Sequence, residues 1–145
     1  MSTGTVDVRP RKVRRVAIPL AILLVGVFAL VGTLLRSTPT GVVFNVSDQI
    51  AMGFLGLLLA SGVMLLTRPR LRADAEGLEV RNIIGTQRIP WQLVQGVTFP
   101  DGAPWARVEL PEDEYVPIMA VQATDGNHAV TAMRELRELR RSIDA

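Results

Sequence analysis

The stretch from Gln49 to Thr67 constrains the fold of this chain more than any other feature, because it holds nineteen residues without a charge. At ~1.5 Å per residue, a helix of this length measures about 28 Å, close to the apolar thickness of a bilayer. A second uncharged run, residues 16–35, precedes it. The sequence therefore predicts two transmembrane helices, at 16–35 and 49–67, joined by a short loop at 36–48.

A cleaved signal peptide is the alternative interpretation of residues 16–35, since basic residues stand just before them. The apolar run is long for a signal peptide, and the residues that follow it offer no small-residue cleavage site. A second span also follows. We therefore expect the first helix to be retained as an anchor.

The distribution of basic residues predicts the orientation of these helices. Five precede the first span, three follow the second, and the loop has only Arg36. The positive-inside rule then places both termini in the cytoplasm and the loop outside, as in a two-span protein of the cell membrane. Of the sixteen basic residues only Lys12 is not arginine, a bias that indicates GC-rich coding and hence a bacterium.

Residues 1–15 carry many charges and few large apolar side chains. Such a segment buries too little surface to fold alone, so we expect a basic, disordered cytoplasmic tail. The alternative is a patch for nucleic acid or anionic lipid. No aromatic residue stands among the charges to stack on bases, so no nucleic-acid partner is expected.

Small residues recur at helical spacing in both spans. Such residues allow close packing of two helices or contact with another membrane protein, and both interpretations stay open. No ionisable residue lies within either span, which argues against ion transport. The predicted helix-packing residues are Gly26, Ala29 and Thr33 in the first span and Gly53, Gly56 and Ala60 in the second.

From residue 70 onward the apolar pattern has a period of two, interrupted by turn residues at close intervals. Six or seven short strands of this kind predict a small antiparallel β sandwich or barrel. After residue 126 the period becomes helical, and one apolar stripe runs from Ala129 to Ile143. We expect an α+β domain at 70–145, in which a C-terminal amphipathic helix covers the strands.

Several segments of this domain resemble the bacterial pleckstrin-homology (PH) domains grouped with the low-molecular-weight protein antigen family. They are GLEVRN (77–82), RIPW (88–91), PW (104–105) and ATDG (123–126) with the helix that follows. The resemblance covers about residues 70–145 and implies a PH-like fold behind one or two transmembrane helices, with no established activity. Phosphoinositide-binding relatives carry a basic loop after the first strand, where this chain has only Ala75-Glu76-Gly77.

Two sets of side chains are the candidate contact residues. Arg68, Arg70 and Arg72 stand at spacing two beside the second span and are predicted to contact anionic lipid. Their alternative role is to end the span and fix its orientation. Trp105 and Tyr115 are the predicted surface for a protein partner, although a tryptophan in a small β domain also suits the core.

The sequence offers little for catalysis. It has no cysteine, a single histidine, and no nucleophile-elbow or phosphate-loop motif, so no catalytic residue, metal, cofactor or small-molecule substrate is expected. We expect a non-enzymatic, membrane-anchored interaction module whose partners are the bilayer and another membrane-associated protein. The alternative is a small accessory subunit that contacts a larger membrane complex through its helices.

Overall fold

Two long helices separate the first strand of the protein from the strand that it pairs with. The structure is a computed structural model and describes residues 4–39 and 41–145. Strand β1 (Val6–Val8) comes before helices α1 (Lys12–Ser37) and α2 (Val46–Leu65). The chain divides into two units: a helical unit, Val13–Thr67, and a β-rich unit formed by the residues up to Lys12 together with Arg68–Ala145.

The β-rich unit contains two antiparallel sheets and a C-terminal helix. The first sheet has the order β1-β2-β3-β4 and the second the order β5-β6-β7, so all pairings join neighbours in sequence number. The α+β expectation is therefore confirmed. The remaining elements are β2 (Arg70–Ala73), β3 (Gly77–Arg81), β4 (Thr86–Pro90), β5 (Gly96–Thr98), β6 (Trp105–Glu109), β7 (Tyr115–Gln122) and α3 (Asn127–Asp144).

The core lies where the two sheets and α3 meet. Alternate residues of the strands, such as Leu71, Leu78 and Val108, are fully buried, as the period-two pattern predicts. Helix α3 buries the predicted apolar stripe in the same cluster, with Leu136 almost completely covered and Ile143 at its edge. The sheets and the helix therefore depend on one another for burial of their apolar faces.

The expectation of a disordered N-terminal tail is wrong for residues 6–8. Val6 and Val8 point into the core of the β-rich unit, while Asp7 between them is exposed. Strand β1 pairs antiparallel with β2, with Val6 opposite Ala73 and Val8 opposite Leu71. Residues 1–3 of the predicted tail lie outside the described residues.

The helical unit consists of α1 and α2, both long and apolar enough to cross a membrane by length and composition. The contact between them includes Gly56 of α2, where an added Cβ would lie 2.7 Å from the Cβ of Phe28. Gly32 of α1 packs in the same way near Gln49 and Met52. The close approach of the two helices thus requires glycine at residue 56 in particular.

The residues predicted to pack differ in burial between the two helices. Gly56 and Ala60 are buried. Gly26, Ala29 and Thr33 are exposed, and a Cβ added at Gly26 or at Gly53 would meet nothing within 4 Å. The packed face of α1 instead includes Leu24, Phe28 and Gly32, at successive spacings of four residues.

We expect Val8→Ala to destabilise the β-rich unit by about 1–3 kcal/mol, because it removes two core methyl groups and leaves a cavity. Val8 is only 2% exposed. Both tryptophans, Trp91 and Trp105, belong to this unit, so their fluorescence during denaturation of the full chain in detergent measures its unfolding.

The matched control is Val130→Ala, at a residue that is 57% exposed, where we expect a change within about 0.5 kcal/mol. Equal unfolding midpoints for Val8→Ala and the parent would show that β1 is not part of the stable unit.

Candidate functional site

The three arginines that follow α2 do not have equivalent surroundings. Arg70 and Arg72 alternate with the buried Leu71 and Ala73 along β2, so both lie on the outer face of the first sheet. Arg68 precedes the strand and is separated from it by the buried Pro69. The predicted common face is therefore present for Arg70 and Arg72.

Arg70 is engaged in an ion pair within the protein. Its Nε donates to Oδ1 of Asp7 at 2.9 Å, and its Nη2 pairs with Oδ2 of the same carboxylate. The hydrogen bonds from Arg70 lower the pKa of Asp7 below its ordinary value, and the same pair raises the pKa of Arg70. Arg70 thus joins β2 to β1, which leaves Arg72 as the exposed arginine of this strand.

Arg68 contacts the tip of the hairpin formed by β3 and β4. Its Nη1 donates to the backbone oxygen of Ile83 at 3.3 Å. The next residue, Ile84, is 89% exposed. The tip closes through a hydrogen bond from the Asn82 N–H to the Gly85 oxygen, where Gly85 has a φ of +86° that favours glycine. An apolar side chain therefore stands in solvent next to the residue that Arg68 contacts.

The same hairpin tip is fastened to the second sheet. The Asn82 side chain donates to the Pro117 oxygen at 2.9 Å and accepts from the Met119 N–H at 3.2 Å. A depression of about 390 Å³ separates Ile84 from Tyr115 and is lined by both. The exposed position of Ile84 is thus set by hydrogen bonds on both sides of the turn.

Trp105 and Tyr115, predicted as one partner surface, lie at opposite ends of the outer face of the second sheet. Tyr115 pairs with Glu109 and Trp105 with Gln122, so four residues of β6, about 13 Å, separate them. Tyr115 is 56% exposed and lies under the Arg107 guanidinium, 4.8 Å from its ring centre. Hydrogen bonds from Thr98 and Arg107 lower the pKa of Glu109 beside them.

The tryptophans have largely structural surroundings. Trp91 is buried, and its indole N–H donates to the Asp74 backbone oxygen at 2.7 Å.

Burial of the Asp74 carboxylate raises its pKa, but hydrogen bonds from Gly77, Arg88 and Glu76 outweigh that effect and hold the pKa below its ordinary value. Arg88 is thereby paired with both acidic residues of the turn, whereas a phosphoinositide site would require free basic groups.

An open groove of about 730 Å³ runs beside α3. Phe99, Val130 and Met133 give it an apolar floor, and charged side chains of α3 line its edge. Three of those four charges are positive: the edge residues are Arg134, Arg137, Glu138 and Arg141. The groove is therefore an open surface with apolar lining and a mainly positive edge.

A buried carboxylate that sequence reasoning missed holds the N-terminal segment. Asp125 is 8% exposed and accepts from the backbone N–H of Lys12 at 2.8 Å and of Arg11 at 3.1 Å. His128 Nε2 lies 3.0 Å from the Arg9 oxygen. Asp125 does not cap its own helix, since α3 begins after Gly126 and no side-chain cap bond forms there. Its carboxylate instead fixes the residues that lead into α1.

Within residues 4–39 and 41–145, histidine and acidic side chains form no group of three or more placed to hold a metal ion. The ion pairs and hydrogen bonds described above are contacts within the β-rich unit.

Residues 68–139 match a family model described as bacterial PH domain. The chain is also 52% identical over 108 residues to proteins of Mycobacterium bovis and of two Mycobacterium tuberculosis strains. The match covers 74% of this chain and 70% of each relative, and all three are named uncharacterized proteins. The chain therefore belongs to the same family as these mycobacterial proteins, and its residues 68–139 form a bacterial PH domain. No solved structure matches it significantly.

The bacterial PH domain as matched begins at Arg68 and so includes β2 to β7 and most of α3. PH domains are generally non-catalytic, in agreement with a site that consists of surfaces. The matched residues leave out β1, although Asp7, Val6 and Val8 are integral to the first sheet of the domain. The narrower grouping with the low-molecular-weight protein antigen family stays a prediction.

We expect Asp7→Asn to lower the melting temperature at neutral pH, because it removes the charge that pairs with Arg70. The folded-state pKa of Asp7 is lowered, so its contribution to stability is present above the ordinary value of 3.8 and is lost as pH falls through the folded pKa. The difference in melting temperature between variant and parent should therefore shrink below pH 3.8.

Melting curves recorded by tryptophan fluorescence across this pH range check the prediction, with Asp101→Asn in an exposed turn as the control. A difference that grows on acidification would contradict the assigned role of the Arg70 pair.

We expect Asp125→Asn to destabilise the β-rich unit by about 1–3 kcal/mol, because one oxygen that accepts a backbone N–H becomes an NH₂ donor facing it. Amide hydrogen exchange at Arg11 and Lys12 measures the local effect, and chemical denaturation measures the global one. Unchanged exchange at both amides would rule out the contact. Asp101→Asn serves as the exposed control here as well.

Proposed function

We propose that this chain is a non-enzymatic interaction module, anchored by α1 and α2, whose PH domain lies on the cytoplasmic face of a bacterial cell membrane. The observation that carries the proposal is the pairing of β1 with β2. These strands stand on either side of the two apolar helices in sequence, yet they form one sheet.

This pairing restricts the path of the chain. Val8 and Leu71 are directly opposite each other, so the residues before α1 and after α2 belong to one folded unit. A folded unit lies on one side of a bilayer, and the helices between its parts must then cross an even number of times. Two helices long and apolar enough to span meet this requirement as a hairpin.

The charges beside the helices favour the cytoplasmic side for the PH domain. Eight basic residues flank the outer ends of the hairpin, whereas the inner ends have Arg36 alone, in the last turn of α1. The β1–β2 pairing independently requires the two basic flanks to share one side, and the distribution of basic residues then favours the cytoplasmic side. The proposal thus has both termini in the cytoplasm and residues 38–45 outside.

The partner surfaces follow from the described side chains. Arg68 and Arg72 would attract anionic headgroups at ~1 kcal/mol each, so they orient the domain while the helices hold it. The groove beside α3, with its apolar floor and three arginines, suits an acidic segment of a membrane-associated protein. Neither surface calls for a cofactor or a small-molecule substrate.

A second candidate function is that of an accessory subunit in a larger membrane complex. The observation that favours it is the exposure of Gly26, Ala29 and Thr33 on a face of α1 that does not pack on α2. Small residues of this kind allow a helix of another protein to approach closely. Native mass spectrometry after detergent extraction distinguishes the two functions, because only the second requires a heavier complex.

The orientation is tested by single cysteines, which label specifically because the chain has none of its own. In intact cells, we expect a membrane-impermeant maleimide to label Val42→Cys in the connection. Ala145→Cys should react only after permeabilisation. Labelling of Ala145→Cys in intact cells would overturn the proposed orientation, and recovery of the protein in the soluble fraction would overturn the anchor.

A further inference from the structure

The tip of the β3–β4 hairpin carries the most exposed large apolar side chain among the described residues that the structure places in the β-rich unit. Ile84 is 89% exposed, whereas the neighbouring Ile89 is buried. An isolated exposed isoleucine is ordinary on a protein surface, but its position here is fixed by the Asn82 side chain and by the closed turn at Gly85. The exposure is therefore a property of the folded domain.

The length of chain between α2 and Arg68 limits how far Arg68 can lie from the end of that helix. Arg68 donates to the Ile83 oxygen, and Arg68 stands three residues after Leu65, the last residue of α2. Three residues span at most about 11 Å. If α2 crosses the bilayer, Arg68 lies at headgroup depth, and the residue that it contacts lies within a side-chain length of the same level.

Other side chains at this end of the domain suit an interface between water and lipid. Tyr115 lines the same depression as Ile84 and is half exposed, with its ring against the Arg107 guanidinium. Tyrosine is enriched at the headgroup level because its ring is apolar and its hydroxyl is polar. Arg68 adds a positive charge beside them.

We propose that the β3–β4 tip is a membrane-docking wedge, in which Ile84 enters the headgroup region of the cytoplasmic leaflet and Tyr115 and Arg68 lie at the interface beside it. This inference rests on the proposed function, since it requires α2 to span the bilayer. The wedge adds an apolar contact to the electrostatic attraction of the arginines, so the domain is held in one orientation on the lipid surface.

The test uses the full chain in vesicles of mixed anionic and neutral lipid, with an environment-sensitive fluorophore on a single cysteine. At Ile84→Cys we expect a blue-shifted emission and quenching by a nitroxide placed near the headgroups. Asp101→Cys is the matched control, because Asp101 lies in the turn before β6, whereas Tyr115 pairs with the last residue of that strand, Glu109. This control should show neither effect.

A second variant isolates the contribution of the isoleucine. Residue 86 is exposed beside the tip. A fluorophore on Thr86→Cys should be quenched when residue 84 is isoleucine. Adding Ile84→Asp should remove that quenching. Ile84→Asp should leave the melting temperature unchanged, since the side chain is almost fully exposed. Equal quenching at residues 84 and 101 would overturn the wedge, and would leave a protein partner as the occupant of this surface.

A fluorophore at Leu57→Cys, in the middle of α2, separates failure of the wedge from failure of the anchor. Quenching of residue 57 by a deep nitroxide without quenching of residue 84 refutes the wedge alone. Absence of quenching at residue 57 refutes the spanning helix, and with it the proposed function on which the wedge depends.

Discussion

The pairing of β1 with β2 is the interaction on which the rest of the structure depends. Three residues near the N-terminus complete a sheet whose other strands begin more than sixty residues later in the sequence. The ion pair between Asp7 and Arg70 and the acceptance of the Arg11 and Lys12 amides by Asp125 reinforce that pairing from both sides. The chain therefore leaves a single β-rich unit through α1 and returns to it after α2. In the proposed arrangement, this pairing places both ends of the helix pair on the same side of the bilayer.

The pairing of β1 with β2 also sets the order in which the β-rich unit can form. Val6 and Val8 have no partner until β2 has been synthesised, and β2 follows both apolar helices. Contacts of such large sequence separation are entropically costly and form late, once local hairpins such as β3–β4 and β6–β7 offer a template. Insertion of the helices would bring the two ends together and so reduce the entropic cost of this pairing, which links anchoring to folding.

The sequence predicted the strands from residue 70 onward and the buried stripe of α3 well, because alternation and helical spacing are sustained over many residues there. It missed β1 because Val6-Asp7-Val8 is too short to stand out within a basic segment, although its alternation is visible afterwards. Small residues occur on more than one face of α1, so the sequence alone does not decide which of these faces packs on α2. The surroundings of Arg70, Asp125 and Ile84 depend on contacts between distant segments, which no local pattern encodes.

Strand β1 also makes the domain discontinuous in sequence, with consequences for how such proteins are recognised and handled. The family model matches contiguous residues from Arg68 onward, so the sheet that it describes lacks the outer strand β1. A fragment cut at the same residue would expose the backbone edge of β2 together with Leu71 and Ala73, which favours edge-to-edge association of fragments. A soluble version of this domain would instead retain residues 4–12 and join them to residue 68 by a short flexible bridge.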